Sequence, residues 1–498
     1  MYLGIDVGTS GVKALLTDSE FQILDRETVS LPISRPHPLW SEQSPEDWWT
    51  ATRSAIDAIK ARRPKDIAQV RAIGLAGQMH GAVLLDKNDK VLRPAILWND
   101  GRCAEECALI EQSVPDSRAI TGNIAMPGFT APKLLWVKRH EPDIFAQVAC
   151  VLLPKDYIRF RMTGEKLGDM SDCAGTLWLD VNKRCWSDKM LAACDLSEKH
   201  MPKLCEGDSV AGTLRSDLAE RWGMNPGVIF AGGGGDNAAG AVGIGAVRDD
   251  QAFISLGTSG VYFVATNQHC AAPERTVHAF CHALTGRWHQ MGVILSAASC
   301  VKTATGWLGA HDEAELCAPL EKHFNTDLNT VFLPYLSGER TPHNNPNATG
   351  CYVGMTHDTM RADLAQATLE GVAFAFADCQ DALEAAGARP KEVTLIGGGS
   401  RNDLWGEIIA SVLNKTVVYV ADGDQGPAFG AAKLAALAHN PADAERILAR
   451  PSVLARTQPN KAWQEGLRAR LQTYRDLYTR IFTTEGQKDD GLSYRRCA

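Results

Sequence analysis

The sequence predicts an α/β protein of two duplicated lobes with a cleft between them. Three observations carry that expectation. Residues 5–13 (Ile-Asp-Val-Gly-Thr-Ser-Gly-Val-Lys) are nearly repeated at 254–262 (Ile-Ser-Leu-Gly-Thr-Ser-Gly-Val-Tyr), 249 positions on in a chain of 498. Each half then carries a glycine-rich turn directly after a short apolar run, at 232–237 and at 397–402. Each turn is followed by a small-residue helix, 238–246 in the first half and, further on, 427–438 in the second. The same parts in the same order at half-chain spacing mark a diverged internal duplication.

Taken in order, apolar runs and turn residues place strands at 2–7, 12–16 and 23–31, a meander whose first tip, residues 8–11, is a polar hairpin turn. Residues 36–43 read as a loop. Ser44-Pro45-Glu46-Asp47 reads as a helix start, with Ser at the N-cap, Pro at the first position and acids in the first turn. A compact buried strand at 71–76 ends in Gly77-Gln78-Met79-His80-Gly81, a polar tip of the kind where α/β proteins place ligand contacts. Strands at 83–86 and 95–98 follow, the second running into Asn99-Asp100-Gly101-Arg102. Residues 103–225 read as mostly helical, with helices at 132–140 and 154–162. A strand at 228–231 enters the glycines before Asp236. The lobe junction falls near 246–252, giving an N-terminal lobe at 1–246, a C-terminal lobe at 247–484 and a polar tail at 485–498. The second lobe restarts with strands at 252–256, 261–265 and 288–293 and a helix at 296–308. A strand at 331–335 leads into the long polar loop 336–346, of the kind that carries function. A helix at 363–384, strands at 393–396 and 417–420, and the helix at 427–438 complete it.

A formal net charge of −8 argues against nucleic acid as a partner. The 14 cysteines include no C-x-x-C pair, and Cys103 and Cys107 have no further ligands to complete a zinc site. They are expected to be reduced thiols of a cytoplasmic protein. The chain opens directly into a strand, so no signal peptide is expected, and no apolar run reaches ~18 residues, so no membrane partner is expected. The oligomeric state, a homodimer included, stays open.

The paired turns carry the chemistry. Backbone amides in a glycine-rich turn make a concave anion site, and Thr and Ser hydroxyls add donors. Two such turns from two lobes suit one polyphosphate. Neither G-x-x-x-x-G-K-[ST] nor G-x-G-x-x-G occurs, so a nucleotide is expected to be held by hairpins. Asp6 beside the first turn would repel phosphate unless a cation lies between, and Mg²⁺ suits few carboxylates plus phosphate oxygens; the plain reading is a turn hydrogen bond. Asp236 is a candidate base for transfer to an alcohol, with Asp100 competing and a helix cap as its structural reading. Gln78, Met79 and His80 suit a polyol wall, and Asn99, Asp100 and Arg102 offer partners for hydroxyls or form a solvated loop. The turn at 397–402 suits a flat base lying on glycine backbone, or an ordinary strand-to-helix turn.

With these segments in hand, the whole chain resembles the FGGY carbohydrate kinases. The resemblance rests on Ala131-Pro-Lys-Leu-Leu-Trp-Val-Lys138 and on Gly350-Cys-Tyr-Val-Gly354 followed by Asp363-Leu364 and Glu370. It is nearest to the members that act on D-xylulose, through residues 34–43, 77–81, 96–102, 235–240 and 335–346. It implies an actin-like ATPase (ribonuclease H-like) fold and ATP-dependent phosphorylation of D-xylulose at its 5-hydroxyl, with Mg²⁺. It further implies Met79 and His80 as sugar contacts, Asp236 as base and Asp6 as the metal-linked acid; Asn99, Asp100, Arg102 and Asn237 stand beside them as candidate sugar contacts. Gly398 and Asn402 match nucleotide-binding positions, and Gly8, Thr9, Ser10, Lys13, Gly257, Thr258 and Ser259 of the two turns are candidate ATP contacts. One departure is the run of four glycines before Asp236 where the resemblance leads us to expect three. A kinase for another pentulose or polyol, or a non-kinase actin-like nucleotide switch, are the competing readings.

Overall fold

The structure, a computed structural model, describes residues 1–483 other than His323, Asp422 and Asp424; the tail expected at 485–498 lies outside the described residues. The first sheet grows from the predicted meander. β1 (Tyr2–Val7) pairs antiparallel with β2 (Gly11–Thr17), and β2 with β3 (Ile23–Ser30). Helix α1 (Pro45–Arg62) follows. Ser44 stands at its cap, but the hydroxyl makes no cap bond; Pro45 and the acidic first turn start the helix instead. β4 (Ala72–Gly77) then lies parallel to β1 on its other side. Helices α2 (Thr130–His140) and α3 (Pro154–Thr163) cover the middle segment. β5 (Val210–Thr213) and β6 (Ile229–Ala231) complete the order β5-β6-β4-β1-β2-β3, and α4 (Asp236–Ile244) closes the lobe.

The second sheet repeats this. Its strands are β7 (Ala252–Leu256), β8 (Gly260–Thr266), β9 (His278–Cys281) and β10 (Trp288–Ile294), then β11 (Glu392–Ile396), β12 (Thr416–Val420) and β13 (Val453–Thr457), in the order β9-β10-β8-β7-β11-β12-β13. Counting outward from β1 and from β7, each step has the same sense: antiparallel twice on one side, parallel twice and then antiparallel on the other. The duplication inferred from one repeated pentapeptide therefore extends through the whole sheet, with β9 added at one edge.

Helices α5 (Arg361–Ala385) and α6 (Asp403–Leu413) cover the second sheet. Helix α7 (Pro427–His439) behaves differently. By sequence it falls in the second lobe, yet it lies on β1 and β4 of the first sheet and against α4. Small residues make this possible. A Cβ on Gly4 would sit 1.9 Å from the Ala428 carbonyl oxygen, one on Gly74 1.9 Å from that of Ala431, and one on Gly430 1.7 Å from that of Ala239. The α4–α7 pair thus ties the lobes together at the floor of the cleft. Among the described residues the cysteines form no disulfide, and no helix is long and apolar enough to cross a membrane.

Candidate active site

The ends of β1 and β4 position the two candidate carboxylates. Asp6 is in register with Ala76 of β4, and Gly234 pairs with the same Ala76 from the far side. Asp6 and the Gly234-Gly235-Asp236 segment therefore reach the same sheet end two strand spacings apart, roughly 10 Å centre to centre. Asp236 is the first residue of α4, whose cap is Gly235, so the helix-cap reading of Asp236 does not hold. Its Oδ1 accepts the backbone N–H of Asn237 at 2.7 Å and the Asn237 side-chain amide at 2.9 Å. Burial pushes its carboxyl up to about 6 against these two bonds. Asp6 is raised to about 7, by burial and then by the charge of Asp236, with Lys13 opposing.

Asp6 Oδ1 is buried and has no hydrogen-bond partner. An orphaned carboxylate oxygen within electrostatic reach of a second carboxylate, beside a turn of open amides, fits a hard divalent cation that shares its shell with phosphate oxygens and water. The ionised form is costly without such a cation. A carboxyl raised above its ordinary 3.8 stabilises the fold when protonated, and that contribution is lost as pH rises through about 7. Asp6→Asn is accordingly expected to melt a few degrees above the parent at pH 8 without nucleotide or metal, with the gap closing towards pH 4. Equal melting curves at pH 8 would count against this.

The two hairpin turns present similar surfaces. Among the described residues, the amides of Thr9, Ser10, Thr258 and Ser259 make no internal hydrogen bond. The Thr9 hydroxyl does not share that freedom. It donates to Gln78 Oε1 and accepts from Trp98 Nε1, both at 3.0 Å. Gln43 binds the Thr9 carbonyl at 2.7 Å and meets Gln78 and Trp48 through its Oε1. Thr9 is thus braced by the sugar-side tip, and the expected phosphate donor there is backbone rather than hydroxyl. Lys13 Nζ donates to the Gln425 carbonyl at 2.7 Å, across to the second lobe. In the second turn, the carbonyls of Gly257 and Thr258 accept the amides of Ala298 and Ala297, which docks the turn on a helix start.

Two cavities occupy the cleft. One of about 380 Å³ is lined by Asp236, Asn237, Ser255, Gly397, Gly398 and Gly426, among others. The other, of about 740 Å³, runs from Gly257 and Thr258 to Gly398, Asn402 and Trp405. Gly397 takes φ +89°, and a Cβ there would meet the Leu256 carbonyl at 2.8 Å, so the turn beside the cavities requires glycine. Asn402 Oδ1 caps α6 through the Trp405 amide, which leaves its amide group for a ligand.

On the sugar side, His80 Nδ1 lies 2.6 Å from the Gly175 carbonyl. A carbonyl only accepts, so Nδ1 carries the proton and Nε2 is an acceptor. Burial, with Lys133 nearby, lowers His80 to about 3 and keeps it neutral. Its carbonyl is gripped by Lys133 Nζ at 2.8 Å and Thr130 Oγ1 at 3.1 Å. A Cβ on Gly235 would sit 2.9 Å from Met79 Cγ and Sδ, which puts Met79 against the Asp236 peptide.

Asp100 and Arg102 do not join this wall as sugar contacts. Asp100 is 2% exposed and accepts from Ser41 N, Arg102 N, Arg102 Nε and Arg102 Nη2 at 2.6–3.0 Å. Arg102 lies over Trp40 at 3.6 Å and Trp136 at 4.9 Å and pairs with Glu42. Both side chains are consumed by a buried ion cluster, so Asp100 is also unavailable as a base. Asn99 is exposed at its edge.

Sequence reasoning missed a second buried cluster, directly beneath Asp236. Lys155 Nζ contacts Asp156, Asp169 and Asp172 at 2.6, 2.5 and 3.2 Å, all with side chains at zero exposure. Burial alone would lower the Lys155 pKa, but the three carboxylates outweigh it and hold it high. Asp169 holds the Ser171 hydroxyl at 2.5 Å, and that hydroxyl accepts the Gly235 amide at 3.1 Å. Arg159 donates to the Gly232 carbonyl at 2.5 Å. The glycine run that delivers Asp236 is therefore clamped at both ends. Its signal in the sequence is only Lys155-Asp156 and Asp169-Met-Ser-Asp172, polar pairs with no motif.

The model of the N-terminal domain of the FGGY family of carbohydrate kinases matches residues 1–243, and that of the C-terminal domain matches residues 252–439. The chain belongs to the FGGY family of carbohydrate kinases. A xylulose kinase of Escherichia coli is 52% identical over 482 residues, 97% of this chain and 99% of that protein. One from Bacillus subtilis is 35% identical over 87% of each. The crystal structure of a xyloylose kinase from Brucella ovis superposes with a TM-score of 0.94 at 49% identity, covering 96% of this chain and 99% of that one. As an FGGY kinase, this chain has its matched domains meeting at the α4–α7 floor, since the C-terminal match ends with α7.

Proposed function

We propose that this FGGY kinase transfers the terminal phosphoryl group of ATP to the 5-hydroxyl of D-xylulose. The observation that carries the substrate is the 52% identity, over nearly full length, to a protein that phosphorylates xylulose. Adenosine occupies the larger cavity, against the 397–402 turn. The phosphates run between the two Gly-Thr-Ser-Gly hairpins and take hydrogen bonds from the open amides of Thr9, Ser10, Thr258 and Ser259. Asp6 would hold Mg²⁺, directly or through water. When bound, that ion neutralises phosphate charge and orients the transferred group. The sugar lies along Met79 and His80, where His80 Nε2 accepts from a hydroxyl. Asn237 fixes Asp236 Oδ1, so Oδ2 faces the 5-hydroxyl and takes its proton as the oxygen attacks in line. Approach of the lobes excludes water and limits loss of ATP to hydrolysis.

The reading is tested by ADP release with D-xylulose, D-ribulose, L-ribulose, glycerol or no sugar. Stimulation greatest with D-xylulose is expected. Greater stimulation by another sugar would reassign the substrate, and none by any sugar would return the chain to a nucleotide switch.

A further inference from the structure

The long polar loop of the second lobe contributes one side chain that the proposed mechanism leaves unused. Arg340 follows Glu339, yet the two do not pair through their charged ends. Glu339 Oε1 is turned to backbone, accepting the amides of Leu295 at 3.0 Å and Arg340 at 2.7 Å. Among the described residues the Arg340 guanidinium forms no ion pair. The next residue pins the loop to β10: the Thr341 amide donates to the Val293 carbonyl at 3.0 Å, and Thr341 Oγ1 accepts the Val293 amide at 3.0 Å. The guanidinium is thereby held in one place and is not a floating surface charge.

That place is the rim of the sugar wall. Nη1 lies 3.4 Å from His278 Nε2. The His278 ring meets Phe129 edge-on at 5.6 Å, and Phe129 meets His80 edge-on at 4.9 Å. On the other side, a methyl on Gly128 would sit 3.9 Å from Nη2 and 2.7 Å from the carbonyl of Trp98, whose indole holds Thr9. Arg340 of the second lobe therefore reaches the first-lobe strap at 128–130 that grips the His80 carbonyl. Burial disfavours its charge, with Glu339 partly compensating.

A guanidinium is a donor-only fork. Partly buried, and balanced only in part by the neighbouring Glu339, it is an arrangement that an acceptor would relieve. In a linear ketopentose the C2 carbonyl is the one oxygen that accepts only. The donor-only cation and the acceptor-only oxygen are complementary, while His80 Nε2 and Asp236 each need a hydroxyl. We propose that Arg340 is a specificity-determining substrate-binding residue, supplied by the second lobe, that donates to the C2 carbonyl oxygen of the ketose whose C5 hydroxyl faces Asp236. This rests on D-xylulose being the substrate. It also means that one sugar is held from both lobes, so sugar binding favours their approach.

The test uses Arg340→Met and Arg340→Gln in the full chain. Both are expected to keep the thermal shift given by ADP and to melt without ligand at or above the parent temperature, because a partly buried charge that Glu339 balances only in part has been removed. KM for D-xylulose should rise roughly 10–100-fold, as for loss of a hydrogen bond to a charged group. The preference for D-xylulose over xylitol, which carries a hydroxyl at C2, should fall at least about tenfold by the same reasoning. A KM within twofold of the parent, equal weakening towards both sugars, or a lower melting temperature with loss of the ADP shift would overturn the assignment. If the parent itself releases no ADP with D-xylulose, the substrate reading fails first; if the parent is active and both variants match it, only the role of Arg340 fails.

Discussion

Asp236→Asn is expected to lower kcat for D-xylulose by about 10²–10⁴-fold, the usual contribution of a positioned general base. ADP should still bind, because Asp236 lines the smaller cavity and not the larger one, and the amides of both hairpins remain. The substitution keeps the shape of the side chain and the contact with Asn237, so the loss reports proton transfer rather than a collapsed wall. pH adds an independent signature. The parent carboxyl sits near 6 and its neighbour Asp6 near 7, both raised by burial. The base works only when ionised, so kcat/KM of the parent should fall as pH drops through 7 to 6. In Asp236→Asn the residual rate should lose the component of that fall that belongs to Asp236. Stopped assays from pH 5 to 8.5 check both. Near-parent turnover in the variant would remove Asp236 from the role.

Lys155→Met is expected to be the most destabilising single change in the first lobe, by about 3–5 kcal/mol, the cost of removing one partner from a buried ion pair. Lys155 alone bridges Asp156, Asp169 and Asp172; without it only Arg159 remains, and it reaches Asp156. The loss should be read by urea denaturation. Ser171→Ala provides a milder companion. It deletes the acceptor of the Gly235 amide and should reduce kcat more than it reduces stability, because it frees the segment that delivers Asp236. A Lys155→Met protein as stable as the parent would show that the cluster is not held as described.

The two hairpins were legible in the chain because their identity is contiguous, and contiguous identity survives divergence where scattered contacts do not. The small-residue helices were legible as a matched pair, and Gly430 against Ala239 shows why glycine and alanine stand there. Which sheet α7 would lie on was not legible: its residues suit either lobe, and only Gly4 and Gly74 on the receiving strands decide it. Asp100 and Arg102 read as a ligand cluster because polar residues after a strand usually point outward. Their real partners, Trp40, Glu42 and Trp136, are distant in sequence, and ion clusters of that kind leave no periodic trace. The same reason hid Lys155 and Asp169. Arg340 lies inside the long polar loop expected to carry function, but that its guanidinium forms no ion pair among the described residues is a fact of three dimensions.

The central claim is transfer of the terminal phosphoryl group of ATP to the C5 oxygen of D-xylulose in the cleft between the lobes. Incubation with ATP, Mg²⁺ and D-xylulose enriched with ¹³C at C5, followed by ¹³C and ³¹P NMR, tests it most directly. The predicted result is a single phosphomonoester whose phosphorus couples to the enriched carbon and which does not form with Asp236→Asn. A phosphoester with no coupling to C5, or inorganic phosphate as the only product, would contradict it.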